Sequence, residues 1–466
     1  WKLLARSQSP LAAALRACLG DVAEVCAASE KRLDELGLHV STLIKQNSLS
    51  HILQNPSIIL PQHIQSHLKK IYSIDQDLWS PNVSDRLKYK LREQRDAARQ
   101  DLERRIQSRF HLMSLALLDP AFVDTARTIE TLAGRPALDY VWIESTGNTR
   151  FKKWYRTFID SHGAVDFARQ PDDFGPDLVT AVASGTKIFE QPLIELSVAL
   201  LPRRLDLEGE AEEMVELVVS PHGSLDLVPW ATLRTATHQP RLIQRFAVVL
   251  SPCLANLSAD PPTRVRQPAL VHLVAREPTK AGRTVGQRLK LDAEFASWGR
   301  QYAATSDVLS FDSSTGEPTP GDDLKRILRE RAAQFGFLHL AAHGDGSGLD
   351  QTLYIPEPFT AAEAFDLQWP AAVLLAVCHS GEINVQKFTE PLAFCIAVLA
   401  GGASAVTAGI GQVSDAGAGF IAARIVDQIR GGSLESLPRL LRRAQLEAIR
   451  RDLPTWQWGR FVTYTR

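Results

Sequence analysis

Two stretches of the sequence decide its fold: Phe337-Leu-His-Leu-Ala-Ala-His343-Gly344 and Val373-Leu-Leu-Ala-Val-Cys378-His379-Ser380-Gly381. Each is a run of apolar residues, typical of a buried strand, that ends in a reactive side chain with a glycine close behind it. The chain between them is long enough for a crossover connection, so they are predicted to be neighbouring parallel strands. Ligands collect beyond the carboxyl ends of such strands. We therefore expect His343 and Cys378 to lie together at one edge of a sheet.

A cysteine and a histidine in this position predict a nucleophile and its base. A thiol with an ordinary pKa of about 8.5 is mostly protonated at neutral pH, and only the thiolate attacks well. An adjacent imidazole can take the thiol proton and return it to a leaving amine. The developing oxyanion needs donors, which backbone N–H groups can supply. Gly344 and Cys378 itself are the candidates for that role.

Two other histidines compete with His343 for the role of base. His339 lies inside the same predicted strand, four residues earlier, and a histidine within a strand is more often a core residue with satisfied hydrogen bonds. His379 directly follows Cys378 and would point to the opposite face if the strand continued. We therefore favour His343. The glycine-rich run that begins at Gly344 lacks the Gly-Lys-Ser/Thr ending of a phosphate loop and is interpreted as a mobile loop beside the site.

The rest of the chain alternates between predicted strands and helices. From residue 269 onward the strands fall near 269–275, 306–311, 335–342, 371–377 and 403–408, and the helices near 290–302, 321–333, 391–400, 416–430 and 436–451. This alternation predicts an α/β fold, in which helices flank a mostly parallel sheet. Earlier in the chain we expect a β-hairpin from Ala137, a helix over 177–201, and strands at 215–220 and 245–250.

Residues 1–136 are predicted to form a helical N-terminal region. The clearest helix runs from Ser84 to Leu118, with one apolar stripe and a charged opposite face that is interpreted as solvated. The Pro-rich stretch 260–268 is the best linker candidate. The predicted domains are thus 1–136, 137–262 and 263–466. Because the chain starts at Trp1 and not at Met, we also expect that it is cut from a longer protein.

Bulk properties exclude several classes of protein. A net charge of −1 gives no direct signal for nucleic-acid binding, and no apolar run is long enough to span a membrane. The five cysteines are scattered and odd in number, which argues against a disulfide framework and favours a cytoplasmic location. The sequence has neither a CxxC pair nor an HExxH run, so no metal and no cofactor are predicted. Cysteines other than Cys378 are interpreted as small buried hydrophobes.

At the two motifs the sequence resembles CHAT proteins, which are caspase-like cysteine peptidases of the clan that also contains separase, metacaspases and caspases. The first family motif, His-Phe-Ala-Thr-His-Gly, corresponds to His339-Leu-Ala-Ala-His343-Gly344, and the second, Leu-Ser-Ala-Cys-Glu-Thr-Gly, to Leu375-Ala-Val-Cys378-His-Ser-Gly381. The residues that flank the cysteine differ from the CHAT pattern, and Cys-His-Ser-Gly is similar to the metacaspase nucleophile. Further similar segments are Val218–Leu233, Ala400–Val406, Asp415 and Trp458–Val462.

This resemblance covers roughly residues 137–466 and implies a caspase-like fold in which 137–262 packs against a catalytic part. It implies a peptidase in which His343 is the base and Cys378 is the acylated nucleophile, and which receives an extended protein substrate. CHAT domains usually accompany modules that sense a trigger, often in bacterial defence or programmed cell death. The resemblance therefore implies a regulated endopeptidase with a partner protein or module that contacts residues 1–136.

The substrate preference is open at this stage. Asp345, Glu390 and Asp415 are expected on loops near the strand ends, where an acidic pocket would favour Arg or Lys at P1, the residue before the cleaved bond. Ordinary solvation, or helix capping in the case of Asp415, explains the same residues. A second hypothesis for the whole protein is a catalytically silent, caspase-like platform for partner proteins. A third, a different cysteine hydrolase on an α/β sheet, lacks the nucleophile-elbow motif around Cys378.

Overall fold

The computed structural model describes most of the chain from residue 125 to residue 465. Apart from single positions, its ranges are 125–145, 151–169, 190–207, 215–234, 239–252, 269–274, 279–280, 283–284, 289–302, 308–311, 322–346, 351–355, 358–364, 367–381, 393–430 and 435–465.

An eleven-stranded sheet organises these residues. Its strands are β1 Ala137–Ser145, β2 Phe151–Ile159, β3 Val165–Arg169, β4 Val215–Ser220, β5 Phe246–Leu250, β6 Ala269–Val274, β9 Val308–Phe311, β10 Phe337–Ala341, β14 Ala372–Ala376, β15 Ala405–Gly409 and β16 Phe461–Thr465. Their order in the sheet is β3-β2-β1-β4-β5-β16-β15-β14-β10-β6-β9. Most neighbouring pairs are parallel, while β1/β2, β2/β3 and β15/β16 are antiparallel.

Helices cover both faces of this sheet. They are α1 Thr125–Leu132, α2 Glu190–Leu200, α3 Leu242–Arg245, α4 Asp292–Tyr302, α5 Asp322–Arg331, α6 Ala361–Ala364, α7 Phe394–Ala400, α8 Asp415–Arg430, α9 Leu437–Arg450 and α10 Thr455–Trp458. Side chains of α2, α5, α6 and α7 belong to the core on one face, together with Leu338 and Leu340 of β10. Side chains of α4, α8 and α9 belong to the core on the other face, together with Phe337 and Ala341. Because both faces are buried, β10 and β14 have no polar alternation.

Two small sheets accompany the large one. β11 His343–Asp345, β12 Thr352–Tyr354 and β13 Pro358–Thr360 form an antiparallel sheet, and β7 Thr279–Lys280 pairs with β8 Arg283–Thr284. The prediction of a loop directly after His343 is therefore wrong as far as Asp345. Pairing with β12 turns this segment into a strand, and glycine-rich composition carries no signal for such a non-local contact.

The predicted α/β class, with its mostly parallel sheet and flanking helices, is confirmed. The hairpin from Ala137 is present as β1 and β2, and each strand and helix predicted after residue 269 has a counterpart shifted by at most a few residues. Strands β3 and β16 were not predicted. The sheet passes from β5 to β16 without interruption, so segments on both sides of residue 262 belong to it. The division into domains at that point stays a prediction.

Most of the predicted helical N-terminal region lies outside the described residues. The few positions that are described between residues 74 and 98 are helical. None of the helices within the described ranges is long and apolar enough to cross a membrane.

Candidate active site

Strand register brings the two sequence motifs together. β10 and β14 are parallel neighbours, and Ala341 pairs with Ala376 at their carboxyl ends. His343 and Cys378 each lie two residues beyond that pair, at the same edge of the sheet. Gly344 lies against the backbone of Cys378, so the two chain segments are in contact there. His343 and Cys378 are both partly buried.

Gly344 is required by this contact. A Cβ atom at this position would collide with the carbonyl oxygen of Cys378 and with the side chain of Val377. It is the backbone beside the cysteine that approaches this glycine. The glycine therefore sets how closely the His343 segment packs on the Cys378 segment.

A hydrogen-bonded turn holds Cys378. His379, the next residue, has a φ of +61° and donates its N–H to the Gly411 carbonyl at 2.8 Å. The buried Ser380 hydroxyl donates to the Val377 carbonyl at 2.9 Å, and Gly381 N–H donates to the Gly409 carbonyl at 2.8 Å. These bonds fix the turn to the end of β15, so the direction in which the thiol leaves the sheet is determined by the fold.

The Cys378 thiol is hydrogen-bonded to the backbone in this structure. It donates to the Val413 carbonyl at 3.5 Å. Burial raises the pKa of the Cys378 thiol above its ordinary value, and the negative charge of Asp415 raises it further. A raised pKa means little thiolate at neutral pH, so a base is needed before this thiol can act as a nucleophile.

The two competing histidines have different surroundings. His339 is fully buried, its Nδ1 accepts the Trp298 indole N–H at 2.9 Å, and burial lowers its pKa to about 3. It is the core histidine that the sequence predicted, although its Nε2 has no hydrogen-bond partner among the described residues. His379 is partly buried, and its left-handed backbone removes it from the alternation of β14.

The three acidic candidates separate in the structure. Asp415 is the first residue of α8, its carboxylate accepts the Lys290 N–H at 2.9 Å, and its charge acts on Cys378. In the first turn of α8, the Gly417 N–H donates to the Ser414 hydroxyl, so Ser414 and not Asp415 is the capping side chain. Asp345 is exposed at the end of β11. The burial of Tyr354 and, to a smaller extent, the negative charge of Asp345 raise the pKa of Tyr354 to about 12. Glu390 lies outside the described residues.

Glu294 is a buried acid beside this region that the sequence analysis missed. It lies on α4 with a side chain 1 % exposed, and a Cβ on Gly419 would approach its Oε2 to 3.1 Å. That oxygen has no hydrogen-bond partner within the described ranges. Burial raises the pKa of Glu294 to about 7, and the negative charges of Asp415 and Asp292 contribute.

We expect Glu294→Gln to stabilise the protein at high pH. A carboxyl with a raised pKa favours the folded state at acidic pH, and this contribution is lost as pH rises from about 4.5 to about 7. The difference in free energy of unfolding between the variant and wild type should grow by about 3 kcal/mol over that range. Denaturant titrations at pH 5 and pH 8 measure it, and Glu330→Gln, on the exposed face of α5, is the control. A Glu294→Gln variant less stable than wild type at pH 8 would contradict this.

No group of His, Cys, Asp and Glu that could hold a metal ion occurs among the residues that the structure describes. Of the other cysteines, Cys395 is fully buried in the core, as predicted, and burial raises its pKa. Cys18, Cys26 and Cys253 lie outside the described residues.

Several residues around the thiol have no signal in the sequence. Val413 receives its hydrogen bond, Gln351 accepts and donates hydrogen bonds beside the Cys378 turn, and Tyr464 donates its hydroxyl to the Gly381 carbonyl at 2.9 Å. These three residues belong to a loop, a strand edge and the last strand of the sheet. Only the tertiary fold brings them to one place.

Comparisons with known proteins agree with this architecture. Two structures of the Saccharomyces cerevisiae separase–securin complex are similar, with TM-scores of 0.51 and 0.52 and sequence identities of 10% and 11%. The alignments cover 98% and 99% of this chain but 37% of each separase chain, so the chain spans little more than a third of their length. At such low identity the likeness shows the fold alone. No curated protein sequence matches the chain.

A family model adds an assignment by sequence. The model of the CHAT domain matches residues 187–466, which is more than half of the chain and includes both His343 and Cys378. The match begins just before α2 and ends with the last strand, β16. The chain belongs to the CHAT domain family.

Proposed function

We propose that this protein is a regulated cysteine endopeptidase that cleaves protein substrates through a Cys378/His343 dyad. The observation that carries the proposal is that a partly buried cysteine and a histidine lie at the adjacent ends of two parallel strands, which the Gly344–Cys378 contact joins. Membership of the CHAT family and a separase-like fold support a protease-type scaffold.

The reaction proceeds by acyl transfer. His343 accepts the proton of the Cys378 thiol, and the sulfur attacks the scissile carbonyl carbon to form a C–S bond. The oxyanion is stabilised by backbone N–H groups, for which Gly344 and Cys378 are the candidates. His343 then donates its proton to the leaving amine as the C–N bond breaks. Water, deprotonated by His343, attacks the acyl carbon, and cleavage of the C–S bond releases a carboxylic acid and the thiol.

In the proposed mechanism the thiol leaves the Val413 carbonyl before this chemistry begins. In the structure it donates to Val413, and burial and the Asp415 charge hold its pKa above the ordinary value. In our proposal, rotation of the thiol from the Val413 carbonyl toward His343 is the step that an activator or substrate favours. The separase structures are complexes with securin, and a protein partner that contacts residues 1–136 would serve this regulation in the proposed cytoplasmic defence or cell-death setting.

The same resting thiol favours a second function. A thiol with a raised pKa, bonded to backbone, is what a catalytically silent platform for partner proteins would also contain. A search for new N-termini separates the two functions. Wild type and Cys378→Ala are incubated with a cell extract, and new termini are identified by mass spectrometry. The peptidase predicts termini that only wild type produces, whereas the platform predicts none.

Asp415 is proposed to bind a basic P1 side chain, with Asp345 and Glu390 as further acidic candidates. The charge of its carboxylate raises the pKa of Cys378, and Asp415 is the first residue of α8, at the same edge of the sheet. A cationic Arg or Lys side chain beside it would offset the negative charge that raises the thiol pKa. Binding of such a substrate would therefore also favour formation of the thiolate.

Asp415→Asn should have two effects of opposite sign. Removal of the charge lowers the pKa of Cys378, so iodoacetamide alkylates Cys378 faster at pH 8. Loss of the carboxylate should slow cleavage or labelling by Arg-P1 peptides by about 10²-fold. Asn keeps an oxygen for the Lys290 N–H, so the fold is preserved. Peptide mapping gives the first rate and a fluorogenic Arg-P1 peptide the second.

The control for this pair of measurements is Asp427→Asn, which removes a partly exposed carboxylate from the same helix. It should change neither rate. If Asp415→Asn accelerates alkylation and leaves the Arg-P1 rate unchanged, Asp415 acts on the thiol but does not bind the substrate.

A further inference from the structure

Gln351 connects the segment that carries His343 to the turn that carries Cys378. Its side chain is 1 % exposed and lies directly before β12, the strand that pairs with β11. Its Nε2 donates to the carbonyl oxygen of His379, and its Oε1 accepts the Phe394 N–H at 2.5 Å. One buried amide therefore contacts both the residue after the cysteine and the first residue of α7.

The turn it contacts is in a conformation that a non-glycine residue rarely adopts. His379 has a φ of +61°, and the left-handed region costs an L-residue about 1–2 kcal/mol. Such a conformation persists only where its surroundings hold it. Both backbone groups of His379 are held, because its N–H donates to Gly411 and its carbonyl accepts from Gln351. The Gln351 amide is thus one restraint on the backbone of the residue that follows Cys378.

The hydrogen bonds that the Gln351 side chain makes with Phe394 and with His379 have different structural roles. The Gln351 Oε1 accepts the Phe394 N–H, which lies in the first turn of α7 and has no partner within the helix, so this hydrogen bond stabilises α7. Donation to His379 satisfies no helix terminus and acts on the turn alone. A replacement that keeps the acceptor and removes the donor separates the positioning role from the structural one.

We propose that Gln351 is a positioning residue that sets the direction of the Cys378 thiol relative to His343. The role rests on the proposed peptidase function. Gln351 is fixed to the small sheet through β12, in which Tyr354 pairs with His343, and its amide reaches across to the cysteine turn. Gln351 therefore acts together with the Gly344 contact to set the spacing between the His343 segment and the Cys378 turn.

The test uses Gln351→Glu in the full chain, with Gln445→Glu as matched control. An ionised glutamate keeps an oxygen for the Phe394 N–H but has no donor for the His379 carbonyl, so both readouts are taken at pH 9. Gln445 is also 1 % exposed and donates to two backbone carbonyls, those of Trp458 and Phe461, on α9 and away from the turn. The control thus reports the loss of a buried glutamine donor as such.

The first readout is amide hydrogen exchange, which needs no substrate. Gln351→Glu should accelerate exchange of the His379 and Gly381 amides at least about tenfold, while the β16 amides stay as in wild type. Gln445→Glu should leave the His379 and Gly381 amides unchanged. Unchanged exchange of the turn in Gln351→Glu, or faster exchange throughout the molecule, would overturn the positioning role.

The second readout compares two labels of Cys378, an arginyl acyloxymethyl ketone that needs an aligned dyad and iodoacetamide that needs only the thiol. Gln351→Glu should lose about tenfold in the rate with the peptide electrophile and change the iodoacetamide rate by less than about threefold. Equal loss in both rates would overturn the positioning role but not the peptidase. Absence of peptide labelling in wild type would overturn the peptidase, and with it the role of Gln351.

Discussion

Replacement of His343 by glutamine is expected to reduce peptide cleavage by about 10²–10⁴-fold, which is the usual contribution of a general base. The reason lies in the surroundings of Cys378. Burial and the charge of Asp415 raise the pKa of the thiol, so without a base the thiolate is scarce at neutral pH. Replacement of Cys378 by alanine removes the nucleophile and should abolish cleavage altogether.

Neither change should unfold the protein. His343 and Cys378 are partly buried residues at the edge of the sheet, and the strands that precede them keep their pairing. Thermal melting of both variants should therefore stay close to that of wild type. His379→Ala is the control for a histidine beside the thiol and should retain cleavage far above the His343→Gln level. If His379→Ala lost this much activity and His343→Gln kept full activity, the assignment of His343 as the base would be wrong.

Lys325→Met is expected to destabilise the fold by about 3–5 kcal/mol, because it leaves a buried carboxylate without its partner. Lys325 on α5 and Glu363 on α6 form an ion pair of 2.7 Å, and their side chains are 7% and 5% exposed. The other oxygen of Glu363 accepts the Thr360 N–H at 2.8 Å at the start of α6. Through Glu363 the pair thus connects α5 to Thr360 at the end of β13, in the small sheet that contains His343.

The double variant Lys325→Met, Glu363→Gln distinguishes an unpaired charge from lost packing. Glutamine removes the charge and keeps an oxygen for the Thr360 N–H. We expect the double variant to recover at least half of the lost free energy of unfolding, as measured by urea denaturation. A single variant that loses less than about 1 kcal/mol, or a double variant that recovers none, would show that the pair does not contribute as argued.

The parallel part of the fold could be predicted from local sequence. The strands around Phe337 and Val373 are buried on both faces, and such strands appear in sequence as uninterrupted apolar runs. Their order in the sheet could be inferred because the connecting segment permits a crossover. The same argument placed His343 and Cys378 at one edge, where the structure has them.

The contacts that shape the candidate site could not be predicted, because they are non-local. β11 is a strand only through pairing with β12, and β16 enters the sheet between β5 and β15 from the end of the chain. Gln351 has no periodicity or motif that indicates its contact with His379. The acidic candidates show the same limit, since Asp415 acts on Cys378 while Asp345 acts on Tyr354.

The most direct test of the Cys378/His343 assignment is covalent labelling by an arginyl acyloxymethyl ketone, followed by intact mass measurement and peptide mapping. The electrophile forms a thioether only when a thiolate is generated beside a bound peptide. We predict one adduct on wild type, mapped to Cys378, with a rate at least about 10²-fold lower in His343→Gln. An adduct at another cysteine, or the same rate in wild type and His343→Gln, would contradict the assignment.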